Sequence, residues 1–169
     1  SIIYIPFKKP LEHRTDMNKF PVKEVEFIKI NNIKGNILTE FGVGSYVSYK
    51  LSPDNLIYMD GRYEEVYGDD VFDDLMNFEK KENDWEKAIR DYPTDIVLLH
   101  KTTPVYSTLE DYRGWTKIYE GDYYGMFVKN NKLKKEYLMP SDDEKYYKNS
   151  EFTNKGFFGK SELKENNDK

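Results

Sequence analysis

Asp95-Ile96-Val97-Leu98-Leu99-His100 is the stretch on which the fold turns. Four apolar residues in unbroken succession read as a strand covered on both faces, the pattern of a parallel sheet. Leu56-Ile57-Tyr58-Met59 has the same character and reads as a second buried central strand, side by side with the first. Helical signals surround both runs. Pro21 suits a first helical turn, and Val22, Val25, Phe27 and Ile28 follow at helical spacing up to Asn31-Asn32. Gly35 closes that connection, and residues 36–41 read as a short strand. Gly42-Val43-Gly44 then leads to a short helix over residues 45–51, with Tyr46, Val47 and Leu51 turned inward and Ser52-Pro53 as its stop. Asp69 and Asp70 stand at the favourable end of a helix carrying Val71, Phe72, Leu75 and Met76. Asn83 reads as the cap of a further helix presenting Trp85, Ala88, Ile89 and Tyr92. Thr103-Pro104 opens another, ending at Tyr112. Residues 115–119 and 123–128 read as strands joined by the hairpin turn Glu120-Gly121-Asp122.

This order predicts an α/β fold: a mainly parallel sheet with helices on both faces and an antiparallel C-terminal hairpin at the edge, a Rossmann-like three-layer arrangement. The predicted organisation is a leader over residues 1–19, the α/β domain over 20–130, and a charged extension over 131–169, partly disordered, with Tyr137, Leu138, Phe152, Phe157 and Phe158 available to pin it. A chain of 169 residues can bury a genuine core. The absence of cysteine excludes disulfides, thiolate nucleophiles and Cys-ligated zinc. A net charge of −5, with lysines scattered among acids, argues against a nucleic-acid partner. No stretch has the roughly 18–20 apolar residues of a membrane span. The opening Ser1-Ile2-Ile3-Tyr4-Ile5-Pro6-Phe7 is abruptly apolar and lacks Met, which reads as a chain cut from a longer protein just after a hydrophobic segment.

Ligands of open α/β sheets bind beyond the carboxyl ends of the strands. Glu40, Asp60 and His100 fall there, each at or just after an apolar strand. Two carboxylates and an imidazole suit a divalent metal or a division of acid and base roles, whereas polar residues at strand ends are also what any sheet shows where it meets water. Asp60-Gly61-Arg62 either presents a carboxylate and a guanidinium to a ligand, or is a turn in which Asp60 caps and Arg62 pairs with Glu64 or Glu65. Gly42-Val43-Gly44 invites a phosphate-loop reading but lacks the third glycine and the Lys-Ser/Thr that such loops need. His13 lies in the charged leader, and no serine sits in a nucleophile elbow. The chain has 15 tyrosines, among which Tyr106, Tyr112, Tyr119, Tyr123 and Tyr124 could stack on sugars, line a partner surface or simply edge the core. No resident metal or cofactor is called for.

The run Phe41-Gly42-Val43-Gly44-Ser45-Tyr46-Val47, then Leu51, Pro53 and Leu56-Ile57-Tyr58-Met59-Asp60-Gly61-Arg62, then Tyr67-Gly68, resembles a recurring segment of large bacterial polytopic membrane proteins. These are similar to the GT-C glycosyltransferases of the dolichyl-phosphate-mannose and oligosaccharyl-transferase types, in which a "GGYL…DGR…YG" segment opens a soluble domain after the last membrane helices. The likeness continues through Trp85, Tyr92, residues 95–99, Leu109, Trp115, Tyr119 and Asp122 to Phe127-Val128, covering residues 20–130. One glycine of the Gly-Gly pair is replaced, leaving Val43-Gly44, and the tail after Asn130 has no counterpart. The resemblance implies an extracytoplasmic accessory domain at the cell membrane, attached to a transmembrane part of the same polypeptide. It would aid binding of a glycan or polypeptide acceptor without catalysing transfer itself, since catalytic carboxylates in such enzymes lie in the membrane part. Candidate contacts are Asp60, Arg62, Glu40, Tyr46, Tyr67 and His100. Two other readings compete: a stand-alone metal-dependent enzyme using Glu40, Asp60 and His100, and a non-catalytic protein-interaction module.

Overall fold

Side chains alternate across a strand, so the run at residues 96–99 must bury Ile96 and Leu98 on one side of the sheet and Val97 and Leu99 on the other; all four are fully buried. A computed structural model of the chain describes residues 19–59 and 68–141, which lie within one compact unit, Met17–Ser141. In chain order its elements are α1 (Val22–Ile30), β1 (Gly35–Thr39), α2 (Phe41–Leu51), β2 (Asn55–Ile57), α3 (Asp69–Lys80), α4 (Lys87–Arg90), β3 (Ile96–His100), α5 (Tyr106–Glu110), β4 (Trp115–Glu120) and β5 (Tyr124–Lys129). A 3₁₀ turn follows at Asn130–Lys132. No helix among the described residues is long and apolar enough to cross a membrane.

The strands form one mixed sheet in the order β2-β1-β3-β5-β4. β1 pairs in parallel with β2 and β3, while β5 runs antiparallel to both β3 and β4. The α/β character and the antiparallel C-terminal pair agree with the sequence reading. Val97, Leu99, Leu38 and Phe127 pack with Leu75 and Phe78 of α3, Ala88 and Ile89 of α4, and Tyr106 and Leu109 of α5. The opposite set, Ile37, Ile96, Leu98, Met126 and Val128, is equally buried. On α1, Phe27 stacks on Tyr119 of β4 with centroids 4.7 Å apart. Each such aliphatic or aromatic side chain contributes about 1.5–3 kcal/mol through burial.

Several expectations are corrected. Leu56-Ile57-Tyr58-Met59 is not a central strand. β2 holds only three residues, lies at the sheet margin, and is separated from β3 by β1. Leu56 is 68% exposed, whereas Met59, beyond the strand, is fully buried against α3 and α4. An apolar run reports burial of some of its members and cannot say which strand lies in the middle. Gly42, Val43 and Gly44 are not a connecting loop but the first turn of α2, which begins at Phe41. Asn83 caps nothing: its φ is +48°, its amide bonds the Asn77 side chain at 2.8 Å, and α4 starts only at Lys87 after Glu86. Trp85 and Tyr92 lie outside that helix, Trp85 packing on Phe78 and Tyr112.

Beyond β5 the chain is tied back to α1. Asn31 both donates to the Leu138 carbonyl (2.8 Å) and accepts from the Leu138 amide (2.7 Å), and the Tyr137 ring lies 5.4 Å from that of Phe27. Tyr137 and Leu138 thus anchor this segment. Phe152, Phe157 and Phe158 lie outside the described residues.

Candidate functional site

The chain leaves β1 through α2 to β2 on one side, yet β3 adds to β1 on the other. The carboxyl ends of β1 and β3 therefore form a topological switch point, where the connections diverge and leave a crevice. Glu40 follows the last residue of β1, and His100 ends β3. Glu40 spans the gap: its Oε2 accepts from the His100 backbone N–H at 3.1 Å, and its Oε1 accepts from the Thr103 hydroxyl. Charge-assisted bonds of this kind fix a carboxylate firmly.

A second carboxylate stands alongside. Glu79, near the end of α3, accepts from the Phe41 backbone N–H at 2.7 Å. Phe41 is the first residue of α2, so Glu79 fills the anion position at that helix N-terminus. Burial first, and then the neighbouring Glu40 charge, push its pKa above the ordinary carboxylate value, against the Phe41 amide, which pulls it down. The phosphate-loop reading of Gly42-Val43-Gly44 is overturned by the same geometry: no loop exists there, and the amide at the helix start already has an acceptor.

The His100 ring is set by its neighbours. Its Nδ1 accepts from the Thr102 backbone N–H at 3.2 Å and lies 2.7 Å from the Thr102 hydroxyl. Tyr124 meets the ring edge-on at 4.9 Å, and Tyr123 lies nearly parallel to it (20°) at 6.3 Å. Tyr123 is 42% exposed, so an aromatic face opens to solvent beside the crevice. Below the turn, Glu120 accepts from the Tyr106 hydroxyl at 2.7 Å and pairs with Lys117 and Lys101. Lys117, followed by Tyr106, holds the Glu120 carboxyl down at about 2. Tyr106 can lie across β5 because Gly125 has no side chain: a Cβ there would sit 2.7 Å from Cε2 of the ring.

The structure thus brings Glu40 and His100 together, as their strand-end positions allow. Tyr46 is elsewhere, buried on α2 against Phe20 at 4.9 Å, with its phenol raised by burial and by Glu24 and Glu26. Asp60, Arg62 and Tyr67 lie outside the described residues. Among the described residues no group of three or more His, Asp or Glu side chains could hold a metal ion. At the opposite end of the strands is a hollow of about 150 Å³ bordered by Lys29, Lys34, Lys50, Asp54 and Asn55.

Sequence reading missed Glu79, Thr103 and a third carboxylate, Glu24, which is only 3% exposed on α1. A signal existed for both glutamates. Glu24 shares a helical face with Phe27 and Ile28, and Glu79 lies four residues after Leu75, so each belongs to a buried stripe. Compared with known proteins, the chain matches no family model, no curated protein and no solved structure.

Proposed function

We propose that this chain is an extracytoplasmic accessory domain of a membrane glycosyltransferase-like protein, one that docks a glycan or polypeptide acceptor at the β1–β3 crevice and does not itself catalyse transfer. The observation that carries the docking site is the exposed Tyr123 ring, nearly parallel to that of His100, whose backbone N–H is bonded by the Glu40 carboxylate at the switch point. A sugar ring offers an apolar C–H face to an aromatic ring and hydroxyls to a carboxylate, and this crevice supplies both. The membrane setting comes from the resemblance of residues 20–130, which includes Asp60, Arg62 and Tyr67 among the contacts. In this reading α1 and α2 cover one face of the sheet and α3, α4 and α5 the other, as a Rossmann-like three-layer domain, and the transmembrane part of the same polypeptide is its partner.

Titrating the labelled chain with oligosaccharides of glucose, mannose and N-acetylglucosamine, followed by NMR, tests the docking. Shift changes confined to His100, Tyr123 and Glu40, and lost in Tyr123→Ala, are expected. Binding of none of these sugars, combined with thermal stabilisation by a divalent ion, would instead favour a metal-dependent enzyme.

A further inference from the structure

We propose that the stretch from Lys132 to Met139 is a docking surface for an anionic lipid bilayer: Leu133, Leu138 and Met139 enter the interface while the lysines between them meet the headgroups. The surface lies away from the β1–β3 crevice and does not rest on the docking of any glycan.

Three large apolar side chains are exposed in this one short stretch, Leu133 at 43%, Leu138 at 66% and Met139 at 64%. Grouped exposed apolar side chains mark an interaction surface, whereas single ones need no explanation. The backbone that carries them is pinned. Asn31 bonds both the amide and the carbonyl of Leu138, the Lys134 backbone N–H donates to the Tyr137 hydroxyl at 2.9 Å, and the Tyr137 ring lies against Phe27. Pro140 is buried. The chain thus ties down Tyr137 and Pro140 and turns outward the two apolar residues between them. Side chains held out in advance lower the ordering cost of binding.

Charge selects the occupant. Lys132, Lys134 and Lys135, all exposed, stand against a single acid in the stretch, Glu136, although the whole chain carries −5. Lys132 also lies 3.7 Å from Asp95. Lys134 donates to the Asn31 carbonyl beyond the last turn of α1, so the negative end of that helix dipole is answered from within the stretch. Lysine is depleted from protein–protein interfaces. At a bilayer its stem lies along the apolar boundary and its ammonium reaches the phosphate layer. Apolar side chains interleaved with lysines therefore fit a lipid surface better than a second copy of the chain. The stretch follows β5, whose Lys129 amide bonds Asp95 just ahead of β3, and it is tied to Asn31 just ahead of β1. A bilayer bound at these amino ends leaves the crevice at the carboxyl ends uncovered.

Co-sedimentation of the full 169-residue chain with lipid vesicles is the test. Binding is expected to vesicles of phosphatidylcholine mixed with phosphatidylglycerol, weakening as salt is raised, and at least about tenfold less to phosphatidylcholine alone. Replacing Leu138→Ser and Met139→Ser together should cut the affinity at least about tenfold, and Lys135→Gln about fivefold. Leu56→Ser removes a leucine just as exposed, at the β2 margin, and should leave vesicle binding unchanged. All these side chains are exposed, so each variant should keep the melting temperature of the parent chain. Absence of binding to the anionic vesicles would overturn the proposal, as would equal binding to both vesicle types or an equal loss in Leu56→Ser. Self-association that disappears in the Leu138 and Met139 double variant, without vesicle binding, would assign the surface to a second copy instead.

Discussion

The two ends of the parallel strands differ in what they do with charge. At the carboxyl ends, Glu40 and Glu79 are drawn in and bonded to backbone amides. At the amino ends there is a hollow of about 150 Å³ bordered by charged side chains of both signs. Lys29 and Lys50 occupy the last turns of α1 and α2, where a cation offsets the negative end of the helix dipole. Lys34 pairs with Asp54 at 2.7 Å, both half-exposed. Lysines at two helix C-termini are explained by those helices, and the same dipoles disfavour an anionic ligand. Volume alone is thus a poor guide to the site, and the converging hydrogen bonds of the opposite end are a better one.

If the carboxyl end is where polar groups are locked in, its substitutions should dominate. The largest effect belongs to Glu24. A carboxyl raised in the folded state adds stability that is fully present below 4.5 and is lost progressively as the pH climbs toward 7. Denaturant unfolding of the wild type should therefore weaken by about 3 kcal/mol across that window, and Glu24→Gln should remove most of that slope. Glu79, raised as well, adds to the decline with the same sign. Next comes Glu40→Ala, which strips the acceptor from Thr103 and from the His100 amide and should cost about 2 kcal/mol by the same measurement. Thr39, at the end of β1, has a fully buried hydroxyl with no partner among the described residues. Thr39→Val should raise stability by about 1 kcal/mol, read as a higher melting temperature. At the amino end, Lys34→Ala breaks a solvent-exposed ion pair and should change stability by at most about 0.5 kcal/mol. A loss at Lys34 equal to that at Glu40 would erase the distinction between the two ends.

The sequence disclosed those parts of the fold whose signals are local. Ile96-Val97-Leu98-Leu99 needed only its own composition, and Glu120-Gly121-Asp122 lies where β4 turns into β5. Strand order is not local, and Leu56 was misread for that reason: the same apolar run serves a margin or a centre. Gly42 and Gly44 were misread as loop because glycine lowers helix propensity, a weak preference that the N-terminal position and the burial of Val43 and Gly44 override. Within the site, Glu40 and His100 could be placed at strand ends, but their adjacency follows from β3 joining β1, which no residue announces. Glu79 reaches the crevice from a helix far along the chain, and only its place in a buried stripe hinted that it turned inward.

The margins of the sheet carry a consequence for behaviour at high concentration. An unprotected edge strand is a template on which foreign chains pair and aggregate. Here one margin, β2, offers only three residues, and the other, β4, is irregular between Lys117 and Tyr119, with Lys117 engaged by Glu110 and Glu120. A short border and a bulged, charged border both spoil the regular ladder that self-association through strands requires. Among the described residues, pairing of a foreign strand is therefore hindered at both margins.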